Sequence, residues 1–138
     1  PQWCAARNVR PTGAQLARQM CVQPSASLAM RQWAKHGSCM ADRPDRYFRI
    51  TRILHRSLDW PDLDRLSRKE GLNAGDIREA WMQANTNWRP EMIAVILNER
   101  GWLEELRLCY GRDWLPAACK RLARGAADDA PAKIWRGL

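Results

Sequence analysis

Histidine and phenylalanine are scarce in this chain, which has two histidines, His36 and His55, and one phenylalanine in 138 residues. No two of its five cysteines are spaced C-x-x-C. With so few imidazoles, neither a zinc site nor any other metal is expected, and no cofactor is read from the residues. A glycine-rich loop of the kind that cradles nucleotide phosphates is missing, which argues against P-loop and dinucleotide-binding chemistry. Carboxylates do not pair at a spacing suited to joint acid–base work. No apolar run approaches the roughly 20 residues that cross a bilayer, so a soluble domain with no membrane partner is expected.

Lysine is nearly as rare, with 4 against 19 arginines, yet the formal charge is +8. A G+C-rich genome alone produces such a bias. The functional reading is a polyanionic partner, because the guanidinium fork matches phosphate oxygens in pairs. The length fits one domain with a core of its own. The chain starts with proline, which suggests a processed or truncated product, and a start of that kind is compatible with loss of an export signal. Its cysteines are Cys4, Cys21, Cys39, Cys109 and Cys119. The last two bracket "CYGRDWLPAAC", which reads as a locally closed disulfide loop. An odd count leaves one thiol free, or paired outside this chain. Disulfides imply an oxidising compartment, so a secreted or periplasmic location is expected.

Residues 1–30 read as irregular, with a helical candidate from Thr12 to Met20. Pro44 and Asp45 open a helix on which Tyr47, Ile50, Ile53 or Leu54, and Leu58 fall at helical spacing. A short helix over Leu63 to Arg68 ends at Gly71. Asn73 caps the next helix, with Asp76 three residues on and Ile77, Ala80, Trp81 and Ala84 facing inward. Then "MIAVILNERGWLEELRLCYG" reads as strand, turn and strand, with Leu106, Leu108 and Tyr110 on one face. Helices followed by an antiparallel pair point to an α+β domain. Residues 120–138 read as a basic C-terminal extension, a helical turn and a loose tail beyond a domain spanning 1–119.

The densest chemistry lies in "LAMRQWAKHGSCM". An imidazole exchanges protons near neutral pH, and an adjacent cation steadies a developing anion. On a helix, consecutive side chains diverge by about 100° and can border one cleft. Gly37 permits a sharp turn and Cys39 a covalent anchor. Lys35-His36 therefore suits a phosphate-handling site.

The segment "RQWAKHGSC" resembles the second active-site segment of the ribonuclease T2 family, H-E-W-x-K-H-G-T-C. Trp33, Lys35, His36, Gly37 and Cys39 match, and Ser38 replaces threonine. "PQWC" is similar to the family's W-P-x-x-C stretch and "DRPDRYF" to its P-x-x-Y-F helix start. "AWMQANTNWRPEMI" and "GWLEELRLCYGRDWLPAAC" are similar to its helix, strand pair and closing cysteines. The likeness runs from residue 1 to about 119.

The resemblance implies helices packed on a central antiparallel β-sheet. It also implies a metal-independent endoribonuclease that cleaves single-stranded RNA through a 2′,3′-cyclic phosphate. His36 would take the 2′-hydroxyl proton, and Lys35 would stabilise charge at the pentacoordinate phosphorus. Gln32, where the family has glutamate, would hydrogen-bond a phosphate oxygen without titrating. Arg31, in place of the segment's first histidine, keeps a cation for phosphate. Trp33 would pack behind the segment, grouped with Arg31 on the substrate side. The implied disulfides are Cys4–Cys39 and Cys109–Cys119, leaving Cys21.

The family's first active-site segment, H-G-L-W-P, is not in this chain, and its histidine supplies the general acid. His55, between Arg52 and Arg56 and off the apolar face, reads as an exposed helix residue and no substitute. The expected partner besides RNA is therefore a missing N-terminal segment of the same protein, held by packing or through Cys21. The alternatives are a catalytically impaired RNA-binding remnant, or the RNase toxin part of a larger secreted effector. Eight tryptophans complete the picture. Trp81 and Trp102 read as core, while Trp3, Trp60, Trp88 and Trp114 could pack or stack on bases. Lys120, Arg121 and Arg124 form a candidate basic patch.

Overall fold

Capping chemistry marks where the helices begin. The computed structural model describes residues 3–4, 9–120 and 123–136. Pro1, Gln2 and Arg121 of the sequence reading lie outside the described residues. The chain divides into two compact units, Pro1–Leu58 and Asp59–Leu138.

In the first unit, Thr12 opens α1 (Gly13–Gln19) with a reciprocal box. Its hydroxyl accepts from the Gln15 amide at 3.3 Å, and the Gln15 side chain accepts from the Thr12 amide at 2.8 Å. These bonds satisfy two amides that the first helical turn leaves without partners. Ser25 caps α2 (Ala26–Gln32) by accepting from Leu28 N at 3.2 Å. This helix was not foreseen, because residues 21–32 carry no clear apolar stripe. A π-helical turn (Trp33–Gly37) and a short helical turn (Ser38–Met40) follow, then α3 (Pro44–Arg56). Proline at the start of α3 costs no hydrogen bond and presets φ. Phe48, absent from the expected inner face, is its most buried residue, whereas Ile53 is exposed. The face is turned so that Pro44 and Phe48, four apart, lie inward. Buried Gln19 joins α1 to α3, its amide donating to Thr51 Oγ1 at 3.4 Å and accepting from Arg52 at 3.2 Å.

The second unit begins with α4 (Leu63–Ser67), capped by Asp62, and α5 (Ala74–Ala84), capped by the expected Asn73–Asp76 box. A 3₁₀ turn (Pro90–Met92) leads into β1 (Ile93–Leu97), which pairs antiparallel with β2 (Leu103–Leu108). Ile93 faces Leu108 and Val95 faces Leu106, with a register slip after Ile96. Asn98 shapes the intervening turn, its side-chain oxygen accepting from the amides of Arg100 and Trp102. The mixed helix and strand content is as expected. Among the described residues the sheet has two strands, extended by isolated bridges from Gly125 to Val95 and from Lys133 to Trp102. The antiparallel pairing of this sheet is as expected.

The core of this unit joins Leu72, Ala74, Ile77, Val95, Ala132 and Ile134. Two of these six come from the segment expected to be a loose tail, and that expectation is corrected over residues 123–136. Alternating polar and small residues concealed its role. Ala132 N donates to Leu72 O and Leu103 N to Lys133 O, each at 2.8 Å. Gly125 bridges against Val95 so closely that a Cβ there would collide with the Val95 carbonyl. Arg78 secures the arrangement. Its buried guanidinium donates to Ile93 O at 3.0 Å, Asp128 Oδ1 at 2.6 Å, Ala126 O at 2.6 Å and Arg124 O at 3.1 Å. The planar fork serves all four acceptors at once, which a lysine cannot.

The second unit also carries an aromatic ladder. Trp60, Trp81, Trp88 and Tyr110 meet edge to face at 5.3, 6.5 and 5.3 Å. Each such pair contributes about 0.5–1.5 kcal/mol beyond area burial. Trp81 and Trp88 are therefore packing residues, and Trp60 meets Trp81 though it is itself exposed. Trp102 is half-buried and not the core residue expected.

Arg78→Ala should destabilise the protein by about 3 kcal/mol, since carbonyls and the anchor of residues 124–128 lose their donor. Arg78→Lys should recover less than half. A urea midpoint for each variant checks this, and an Arg78→Ala midpoint equal to wild type would remove the anchoring role.

Candidate active site

Lys35 and His36 lie inside the π-helical turn, held from several directions. Trp33 is 3% exposed, and its indole N–H donates to Val9 O at 2.8 Å. The indole face meets Tyr47 of α3 at 5.8 Å between centroids. Gly37 is buried in the same contact. A Cβ on it would lie 2.6 Å from Trp33 Cε3 and 2.8 Å from Tyr47 Cδ1, so only hydrogen fits between the chain and the two rings. The disulfide Cys4–Cys39 ties the end of the segment to residues 3–4, and Trp3 N donates to the Lys35 carbonyl at 2.8 Å. Cys109–Cys119 is the second disulfide and Cys21 is a free, exposed thiol, matching the expected pairings.

A π turn has i→i+5 bonding and is frequent at functional sites. Here it places the two polar side chains of a tightly packed segment in partly open positions. Lys35 and His36 are both half-buried. His36 titrates below the ordinary histidine range, first because burial disfavours the cation and then because Lys35 repels it. Its neutral form, able to accept a proton, is thus favoured near pH 7. Among the described residues no carboxylate pairs with Lys35, so its charge can turn to an incoming anion.

The remaining candidates are less enclosed. Gln32 ends α2 half-buried, and Arg31 beside it is exposed. His55 is exposed on α3, as expected. Tyr47 had been assigned only to an apolar helix face. It is also a wall of this segment, and burial raises its phenol pKa, keeping it neutral. No sequence signal marks its contact with Gly37, ten residues away. Two grooves, of about 830 and 550 Å³, lie in the second unit, and neither is lined by Lys35 or His36. Among the described residues no three His, Cys, Asp or Glu side chains are grouped to hold a metal ion.

The chain is similar to a curated protein of Haemophilus influenzae named "Probable ribonuclease", 30% identical over 105 residues. The similarity covers 76% of this chain and 34% of that protein, so the chain spans about a third of its relative's length. No family model matches the chain, and no solved structure does.

Replacing helical glycine by alanine normally stabilises by about 1 kcal/mol. Gly37→Ala should do the reverse and cost roughly 1–3 kcal/mol, because the methyl forces the two rings apart. Gly13→Ala, with open space around its Cα, should be neutral or stabilising. Thermal denaturation of both variants checks the contrast, and equal behaviour would contradict the tight Trp33–Tyr47 contact.

Proposed function

We propose that this chain belongs to an endoribonuclease of the ribonuclease T2 type, in which His36 and Lys35 act together on a phosphodiester of single-stranded RNA. The observation that carries this reading is a half-buried, preferentially neutral imidazole next to a cation with no carboxylate partner among the described residues. Both stand on one turn fixed by a buried tryptophan and a disulfide. The relative's name supports RNA cleavage in general. The order of matching segments, "PQWC", "RQWAKHGSC" and "DRPDRYF", supports the type.

In this reading His36 removes the proton from the ribose 2′-hydroxyl. The 2′-oxygen attacks phosphorus, and Lys35 balances negative charge on the equatorial oxygens of the pentacoordinate state. The bond from phosphorus to the 5′-oxygen breaks, leaving a 2′,3′-cyclic phosphate and a 5′-hydroxyl. The leaving oxygen needs a proton from an acid, and the family's histidine for that step is not among these 138 residues. In this reading a residue outside these 138 would supply it. Arg31 and Gln32 flank the turn and would hold phosphate oxygens, and Trp33 positions the turn from behind. The two disulfides suit secretion or a periplasmic site.

Gln32, in place of the family's glutamate, favours a second reading in which this surface binds RNA with little turnover. Homopolymeric RNA incubated with the protein in EDTA separates the two. The expected products are cyclic-phosphate ends, with His36→Ala slower by about 10²–10⁴-fold. Bound but intact RNA would favour the second reading. Cleavage unaffected by His36→Ala would defeat the assignment.

The pH profile follows from the environment of His36. A base works in its neutral form, so activity should fall as pH drops through the folded-state pKa, which lies below about 6.5. Lys35→Met removes one source of that lowering, so the acid limb should move to higher pH while the rate falls. An NMR titration of the His36 ring checks the direction. A midpoint that stays put in Lys35→Met would disprove the coupling of the two groups.

A further inference from the structure

The second unit carries an exposed aromatic surface that the proposed reaction does not use. Trp135 is 77% exposed, although its neighbour Ile134 is buried in the core. An indole this exposed leaves much apolar surface in water. Trp102 lies against it, with centroids 5.6 Å apart and planes tilted by 57°. The backbone beneath is fixed, since Lys133 N donates to Gly101 O and Leu103 N to Lys133 O.

Charge is distributed unevenly around these rings. The 550 Å³ groove on one side is lined by Lys69, Lys133 and Arg136 together with both tryptophans. Lys69 is occupied by Asp76. Lys133 Nζ stands 5.7 Å from the Trp102 ring centroid, a cation–π distance. Arg136 donates one guanidinium N–H to Ser67 O at 3.0 Å, which fixes it at the rim with other donors to spare. The 830 Å³ groove on the other side carries Glu99 and Glu104 with Arg100. An exposed indole shared by a groove lined by cations and a groove carrying two carboxylates and one arginine suits a base stacked on the ring and a phosphate in the cationic groove. Phosphate in the other groove would meet like charge.

We infer that Trp135, backed by Trp102 and flanked by Lys133 and Arg136, is a stacking platform for one nucleotide of single-stranded RNA. The inference rests on RNA being the substrate, and it adds a binding site in a part of the chain outside the Lys35-His36 turn. Stacking tolerates any base, so the platform confers affinity with little sequence preference.

A fluorescein-labelled 12-nucleotide 2′-O-methyl RNA is the probe, because it lacks the 2′-hydroxyl nucleophile and reports binding without cleavage. Trp135→Ala should weaken its binding by roughly 5- to 150-fold, and Trp135→Phe should retain most of the affinity. Lys133→Gln with Arg136→Gln should reduce the salt dependence by about one to two released ions. Unchanged binding in Trp135→Ala with an unchanged Tm would overturn the platform. So would equal affinity for a duplex of the same sequence, or a loss of self-association in Trp135→Ala, since the face would then be covered by a second copy. If Trp135→Ala fails to fold, the Lys133 and Arg136 variant decides, and an unaltered salt slope overturns the inference. The two proposals fail separately. A wild-type protein that binds through Trp135 but does not cleave natural RNA defeats the nuclease and keeps the platform. Cleavage with binding indifferent to Trp135 does the opposite.

Discussion

The absence of a side chain at Gly37 is the constraint on which the candidate site depends. The indole of Trp33 and the phenol of Tyr47 close on that bare Cα, leaving no room for a methyl group. Fixing the backbone there also fixes the residues before it, so Lys35 and His36 project from a rigid turn and not from a mobile loop. The disulfide to Cys4 and the hydrogen bond from Trp3 to the Lys35 carbonyl hold the same turn from another direction. Preorganisation of this kind matters because charge forming on a phosphate is best met by groups already in place.

The second unit solves a different problem. Its sheet has two strands, and an isolated hairpin is marginal in water. Helix α5 covers it, and the returning segment 123–136 adds bridges and two residues to the core. That segment is held by an arginine. Arg78 is buried with four of its five N–H donors on oxygen acceptors, and its charge faces Asp128, which is itself largely exposed. A buried guanidinium with four hydrogen bonds acts as a fastener for irregular backbone that has few apolar side chains of its own.

These features give the abundant arginine two uses. Arg78 spends its charge inside the fold, whereas exposed Arg31 and Arg136 stand beside a candidate reaction centre and an exposed indole. Tryptophan is divided in the same way. Trp33, Trp81 and Trp88 pack, while Trp135 presents its face to solvent. Composition alone could not separate these roles, because the same side chain serves packing or binding according to what surrounds it.

Local chemistry was legible in the sequence. The helix over Thr12 to Met20, the Asn73 cap, the proline opening α3, the turn at Asn98–Gly101 and the strand pair each depend on residues within a few positions of one another. The order of short motifs was enough to expect the two disulfides and to single out Lys35 and His36. Tertiary structure decided the rest. The π turn, the fit of Gly37 against Tyr47, the inward rotation of Phe48 and the packing of residues 123–136 through Arg78 all pair groups distant along the chain or resting on different elements. Periodicity and capping report what a segment prefers by itself. A close approach between distant segments is a property of the space left when they pack, and no residue carries that information alone.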